Sequence, residues 1–238
     1  MSLPVAILAG GLGTRLGHLT EMTPKALVDV AGEPFAAHQL RLLKRHGIAD
    51  VVFLVQHRAE DIIQRIGDGS QYDLNVRYVA DGGSACGTGG AIRHALLLLG
   101  EAFFVLYGDT YLDCDYDALE QSFKAANTRG LMTIYDNYNR YDRSNVLYSN
   151  GRVTRYDKYL PSPSMHYIDA GVGVFRPSAF AGYPSGPLDL ASVYQMLARV
   201  NDLAGYEVPN RFYEIGSLAG LAETRAYFSQ EGTHASSK

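Results

Sequence analysis

The chain has 238 residues, 47% hydrophobic and 19% charged, an ordinary balance for a globular protein with a sizeable core. Its net charge of −4 argues against a general nucleic-acid binder but leaves room for a locally basic pocket. Cys86 and Cys114 are too few for a disulfide framework or a cysteine zinc site and read as reduced, cytosolic thiols; no apolar stretch reaches membrane-spanning length and no secretory leader precedes the first strand.

The first apolar run, 5–8, predicts a buried strand. Gly10-Gly11-Leu12-Gly13-Thr14-Arg15-Leu16 follows. Its glycines permit a sharp turn and a close backbone approach, and successive N–H groups in such a loop form an anion site. Arg15 and Lys25 add two cations. The P-loop pattern is absent, and Leu16 stands where the dinucleotide fingerprint needs its third glycine. Gly17, Thr20, Thr23 and Pro24 argue against a helix directly after the loop. A nucleoside triphosphate site is the reading that remains.

Further along, the pattern predicts a helix over 34–46, a strand over 50–55, a helix over 60–66 and a strand over 76–79. A helix over 89–99 and a strand over 102–106 come next. This alternation predicts a mostly parallel sheet with helices on both faces. The second half reads as short strands at 132–135, 145–148, 152–156 and 170–175, a helix over 190–200, and strands at 206–208 and 211–215. The 17 tyrosines concentrate there and read mainly as sheet-face residues. One domain over 1–228 with a flexible tail over 229–238 fits this pattern.

The strand ending Phe103-Phe104-Val105-Leu106-Tyr107-Gly108-Asp109 places an acid where open α/β sheets bind ligands, beyond the carboxyl ends of strands. Asp109 is thus a candidate magnesium ligand, with a turn or helix-cap role as the alternative. Asp113-Cys114-Asp115 is a rival metal pair of the Asp-x-Asp type, although its position suggests an acidic helix start. Gly87-Thr88-Gly89-Gly90 opens a helix and permits close approach of a flat ligand.

The early loop followed by Thr23-Pro24-Lys25-Ala26-Leu27, together with these motifs, resembles the signature of the sugar-1-phosphate nucleotidylyltransferases, or NDP-sugar pyrophosphorylases. The resemblance extends to about Phe228 and is nearest to the short guanylyltransferases for manno-heptose or mannose 1-phosphate. It implies a Rossmann-like α/β/α fold with a mixed central sheet, 1–130 serving mainly the nucleotide and 131–228 forming a small sugar-binding lobe.

The resemblance also implies roles. Leu8, Ala9, Gly10, Gly11, Gly13, Thr14, Gly87, Thr88 and Gly108 would line the nucleotide. Arg15 would neutralise the leaving pyrophosphate and Lys25 the α-phosphate. Asp109 and Glu214 would hold Mg²⁺; Lys158 would hold the sugar phosphate, and Asp169 and Gly171 would meet the sugar. Four positions depart from the family pattern: Glu214 and Asp169 stand for the usual Asp and Asn, Asp157 for Glu, and Ser84-Ala85-Cys86 for Glu-Pro-Leu. The implied partners are an NTP, with GTP first, and a heptose or mannose 1-phosphate; a homodimer, a cytoplasmic setting and no nucleic acid or membrane complete the expectation. Uridylyl or thymidylyl transfer, a glycosyltransferase using Asp113-Cys114-Asp115, and a non-catalytic nucleotide sensor are the alternatives.

Overall fold

A computed structural model of the chain describes residues 2–11, 13–20, 23–80 and 86–235. In chain order the elements are β1 (Val5–Leu8), β2 (Asp29–Val30), β3 (Glu33–Pro34), α1 (Phe35–Arg45), β4 (Asp50–Val55), α2 (Ala59–Ile66) and β5 (Asn75–Ala80). Then come α3 (Thr88–Leu99), β6 (Phe103–Tyr107), β7 (Thr110–Tyr111), α4 (Tyr116–Ala126), β8 (Gly130–Asp136), β9 (Val146–Ser149) and β10 (Arg152–Tyr156). The chain finishes with β11 (Tyr167–Phe175), α5 (Leu190–Arg199), β12 (Leu203–Glu207), β13 (Tyr213–Glu214) and α6 (Leu218–Ala235).

The main sheet runs in the order β5-β4-β1-β6-β11-β8-β12-β10-β9. Its first four strands are parallel, as the alternating pattern predicts. β11 enters antiparallel to β6 and β8, and the second half adds its strands to the same sheet, with β8 and β12 again parallel. Strands of the first half are apolar on both faces because both faces are covered. Val5 and Ile7 pack with α1, α2 and α4, whereas Ala6 packs with α3 and α5. Each fully buried large aliphatic or aromatic chain there contributes about 1.5–3 kcal/mol of transfer free energy.

A third, smaller core holds the functional loops. Leu16, Val28, Val30, Tyr111, Ile215, Leu221 and Phe228 are buried together. Leu16 follows Arg15, Tyr111 lies two residues after Asp109, and Ile215 follows Glu214, so one cluster anchors three candidate site segments. The predicted tail begins inside α6, whose Phe228 ring lies 4.0 Å from that of His38 on α1. The segment after the first glycine loop is a 3-10 stretch, Thr14–Leu19, kinked at Gly17, so no continuous helix follows the loop.

β11 is irregular where it passes the site. Its pairing with β8 shifts between Asp169 and Gly173, and Gly171 takes φ +95°, a conformation that favours glycine. The fully buried Thr133 hydroxyl donates to Val172 O at 2.7 Å and accepts from Val172 N at 3.2 Å, satisfying groups the shifted ladder leaves unpaired.

Candidate active site

The carboxyl ends of β1, β4 and β6 meet at one cleft of about 400 Å³. Two loops touch there. Gly108 N donates to Leu8 O at 3.1 Å and Ala9 N donates to Leu54 O at 2.9 Å. A Cβ at Gly108 would lie 2.5 Å from Leu8 O, so this crossing requires glycine. Leu8, Ala9, Gly10, Gly11, Gly13, Lys25, Gly87, Thr88, Gly108, Asp109 and Lys158, eleven of the residues singled out in the sequence, line the cleft together.

Lys25 and Asp109 meet directly, Nζ to Oδ2 at 2.5 Å, with both side chains mostly enclosed. A two-residue pairing of β7 with β13 sets Glu214 opposite Thr110, and Ile215 N donates to Asp109 O at 2.9 Å. Glu214 therefore stands beside Asp109. Its carboxylate accepts from Gly216 N and, at 2.6 Å, from the Ser217 hydroxyl. A Cβ at Gly216 would collide with Glu214 Oε2 and lie 2.9 Å from Arg15 Nη2 and 3.2 Å from Asp109 Oδ2. Arg15, Asp109 and Glu214 thus converge on one point. A Cβ at Gly220 would also strike the Glu214 carboxylate. Two glycines make room for the extra methylene that distinguishes Glu214 from the expected aspartate.

Residues 5–145 match the model of the nucleotidyl transferase family. The chain belongs to that family. It is 30% identical to the N-acetylmuramate alpha-1-phosphate uridylyltransferase of Neisseria meningitidis, over 92% of this chain and 96% of that protein. It is 25% identical to the mannose-1-phosphate guanyltransferase of Hypocrea jecorina, over 88% of this chain but 60% of that one. The fold matches the crystal structure of HddC from Yersinia pseudotuberculosis, TM-score 0.81 at 23% identity, over 95% of this chain and 99% of the other. The resemblance read from the motifs is confirmed, and the chain is an enzyme of nucleotidylyl transfer.

In this nucleotidyltransferase some expected site residues have other geometry. Thr88 lines the cleft, but its hydroxyl donates to Asp189 Oδ1 at 2.9 Å and accepts from Leu190 N at 2.8 Å. The amides of Gly89 and Gly90 both donate to Leu188 O. The glycines opening α3 therefore admit the Leu188 backbone, and both amides are taken up by its carbonyl. Thr14 begins the 3-10 stretch. Ser84 and Ala85, expected near the base, lie outside the described residues.

Asp113 accepts from Arg45 and His46, and Asp115 caps α4 by accepting from Ala118 N at 2.9 Å. The Asp-x-Asp pair is an acidic helix start, so its rival metal role loses its geometric basis. Among the described residues no group of three or more His, Cys, Asp or Glu side chains gathers to hold a metal, and no helix is long and apolar enough to cross a membrane. Both cysteines are buried thiols, and burial pushes the Cys114 thiol up to about 12.

Asp169 and Gly171 sit behind the cleft wall. Asp169 accepts from Gly171 N at 2.9 Å and from the Tyr107 hydroxyl at 3.4 Å, and Tyr107 lines the cleft. Gly171 packs against Thr110, the residue after Asp109. Enclosure of the Asp169 carboxyl pushes it up to about 6, against the opposing pull of the Gly171 amide, Tyr107 and Lys158. Its folded affinity for a proton thus exceeds that of the unfolded chain. Stability falls as pH rises from about 4 to that value, because the native state must give up a proton it holds more tightly. Asp169→Asn is expected to gain on the wild type across this window, by at most about 3 kcal/mol, and to keep a constant margin above it. Denaturant unfolding at stepped pH measures the difference; a margin flat from pH 4 to 7 would contradict it.

Gln39 was not foreseen. It is fully buried on α1, and its Nε2 donates to Tyr107 O at 3.0 Å and Thr110 O at 2.7 Å. It clamps both ends of the Gly108-Asp109 turn. The signal was a lone amide within the apolar face of the predicted 34–46 helix.

Proposed function

We propose that the enzyme transfers a nucleotidylyl group from GTP to a neutral heptose or mannose 1-phosphate, releasing pyrophosphate. The observation that carries the transfer reading is the convergence of Lys25, Asp109, Arg15 and Glu214 at one edge of a cleft whose other wall bears Lys158. A phosphate oxygen of the acceptor attacks the α-phosphorus, the new P–O bond forms, and the bond to pyrophosphate breaks. That oxygen is already anionic near neutral pH, so no general base is needed. What the protein supplies is positioning and charge.

The amides of Gly10, Gly11 and Gly13 face the triphosphate. Lys25 leaves Asp109 for the α-phosphate as the nucleotide enters, and Arg15 stabilises the departing pyrophosphate. Lys158 holds the acceptor phosphate. Asp109 and Glu214 fit Mg²⁺: they are two converging hard-oxygen donors with lone pairs beyond those their present partners use, and magnesium characteristically takes one or two carboxylates plus phosphates. Bound there, the ion would neutralise charge on the phosphates.

A neutral sugar is favoured by the acids around Lys158. Asp169 and Asp189 both act electrostatically on it, leaving little cationic surplus for an acceptor that carries its own carboxylate. GTP is supported by the resemblance of Phe212-Tyr213-Glu214-Ile215-Gly216 to the short guanylyltransferases and by the guanyltransferase relative. Transfer from UTP to N-acetylmuramate 1-phosphate is the second reading, favoured by the full-length Neisseria relative. Pyrophosphate release is to be measured for GTP, UTP, dTTP, CTP and ATP, each with heptose, mannose and N-acetylmuramate 1-phosphates. GTP with a neutral sugar should give the highest kcat/KM. A higher value for UTP with the muramate phosphate selects the second reading, and no release from any pair would remove both.

A further inference from the structure

Lys158 lies in the loop after β10, on the exposed side of the cleft, yet the loop is tied down at its next residue. The Tyr159 hydroxyl donates to Asp189 Oδ2 at 3.0 Å. The other oxygen of Asp189 accepts from the Thr88 hydroxyl at 2.9 Å and from Ala191 N at 3.1 Å, so the same carboxylate caps α5 and grips the start of α3. Leu188, just before it, accepts from the amides of Gly89 and Gly90 and donates to Cys86 O. Asp189 is therefore fixed to the wall formed by Gly87 and Thr88. On its other side, the Lys158 loop is a tight turn. Asp157 Oδ1 accepts from Tyr159 N at 3.1 Å and Leu160 N at 2.8 Å, and Asp157 N donates to Asn145 O at 2.9 Å.

We infer that the Tyr159–Asp189 hydrogen bond is a latch that sets the position of Lys158 against the opposite wall of the cleft, making Tyr159 and Asp189 positioning residues for the acceptor phosphate. The inference rests on the reading of Lys158 as the acceptor-phosphate lysine. The turn fixes the local shape of residues 157–160 but not its distance from α3. Of the hydrogen bonds that residues 158–160 make among the described residues, only that of Tyr159 to Asp189 crosses to α5 and, through Thr88, to the Gly87 wall. Two acceptor oxygens on one rigid cap give the loop a reference point on the nucleotide side. A lysine on a flexible stem has much rotamer freedom to lose on binding phosphate, so restraining its backbone lowers what the substrate must order. The ring of Tyr159 is itself 65% exposed, so its hydroxyl, rather than buried ring area, supplies the attachment.

Tyr159→Phe removes that hydroxyl and little else. It should raise KM for the sugar 1-phosphate by about tenfold, the scale of one hydrogen bond to a charged acceptor, while KM for the NTP changes less than twofold and the melting temperature holds. Asp189→Asn keeps an oxygen for the cap and presents an amide N–H that the Tyr159 hydroxyl oxygen can accept, so the latch survives as a weaker, reversed hydrogen bond and the acceptor KM should shift less than in Tyr159→Phe. The deciding measurement is a double-mutant cycle with Lys158→Ala. If Tyr159 acts through Lys158, adding Tyr159→Phe to Lys158→Ala leaves the acceptor KM unchanged. Equal effects of Tyr159→Phe with and without Lys158, or none in either, would overturn the latch while a raised KM in Lys158→Ala alone upholds the lysine. An unchanged acceptor KM in Lys158→Ala overturns the lysine reading and the latch with it.

Discussion

Lys25→Ala is expected to lower kcat for pyrophosphate release by about 100-fold or more, corresponding to the ~3 kcal/mol typical of one preorganised charge-stabilising donor. Its ammonium is held 2.5 Å from Asp109 Oδ2, at the edge of the cleft where the loops after β1 and β6 cross. Without ligand, the lysine neutralises a partly enclosed carboxylate. With a triphosphate bound as proposed, the same cation would swing to the α-phosphate, where charge redistributes as the leaving bond breaks. An interaction stronger in the transition state than in the bound nucleotide lowers kcat and kcat/KM together when it is removed. Lys25→Arg should not restore the rate, because a planar guanidinium cannot occupy the compact ammonium position against Asp109. Single-turnover measurement with saturating nucleotide separates this from weaker binding. A variant within threefold of the wild-type turnover would remove Lys25 from the reaction.

Much of this geometry was legible in the sequence, and the parts that were not share a cause. The buried parallel strands stood out because both faces are covered, so their residues form unbroken apolar runs, and 50–55 matches β4 residue for residue. Asp109 was legible because it ends such a run. Its pairing with Lys25, 84 residues away, was not, since no local pattern encodes a partner across the fold. β7 is two residues long, too short for any periodicity to register, and β13 is the 213–214 centre of the strand expected over 211–215; what no local pattern encodes is their pairing, which brings Glu214 beside Asp109. α6 also escaped: Gly220 interrupts its apolar residues, and its packing is aromatic, with Tyr227 stacked on Tyr213 at 4.1 Å. Asp169 stood just before the strand expected over 170–175 and, by resemblance, was to meet the sugar. The shift of register after it, which no residue pattern announces, instead encloses its carboxyl behind Tyr107. The glycines opening α3 read as room for a ligand; two of their amides serve the Leu188 carbonyl.

Gly216→Ala is the complementary experiment, because it should separate activity from stability. Gly216 lies outside the left-handed region, so alanine can adopt its backbone conformation without strain. The atoms its methyl group would meet are the tips of three flexible side chains, Glu214 Oε2, Arg15 Nη2 and Asp109 Oδ2. Gly216 is buried, but those tips can move aside at little cost to the fold, and the melting temperature should change by only a few degrees. Moving them, however, displaces by about a methyl radius three groups that the reaction requires in register. Misplacement on the order of 1 Å costs about 100-fold in rate, so turnover should fall to about one hundredth of wild type. The concentration of Mg²⁺ giving half-maximal rate should rise as well, since the two carboxylates can no longer close on a common point. At Gly220 the same substitution meets the Glu214 backbone carbonyl at 2.7 Å in addition to its carboxylate, and there stability and activity should fall together. If Gly216→Ala kept full activity at low Mg²⁺, the convergence of Arg15, Asp109 and Glu214 would have no part in the chemistry. The tolerance of this chain for glutamate at position 214 would then need an explanation other than the two glycines beside it.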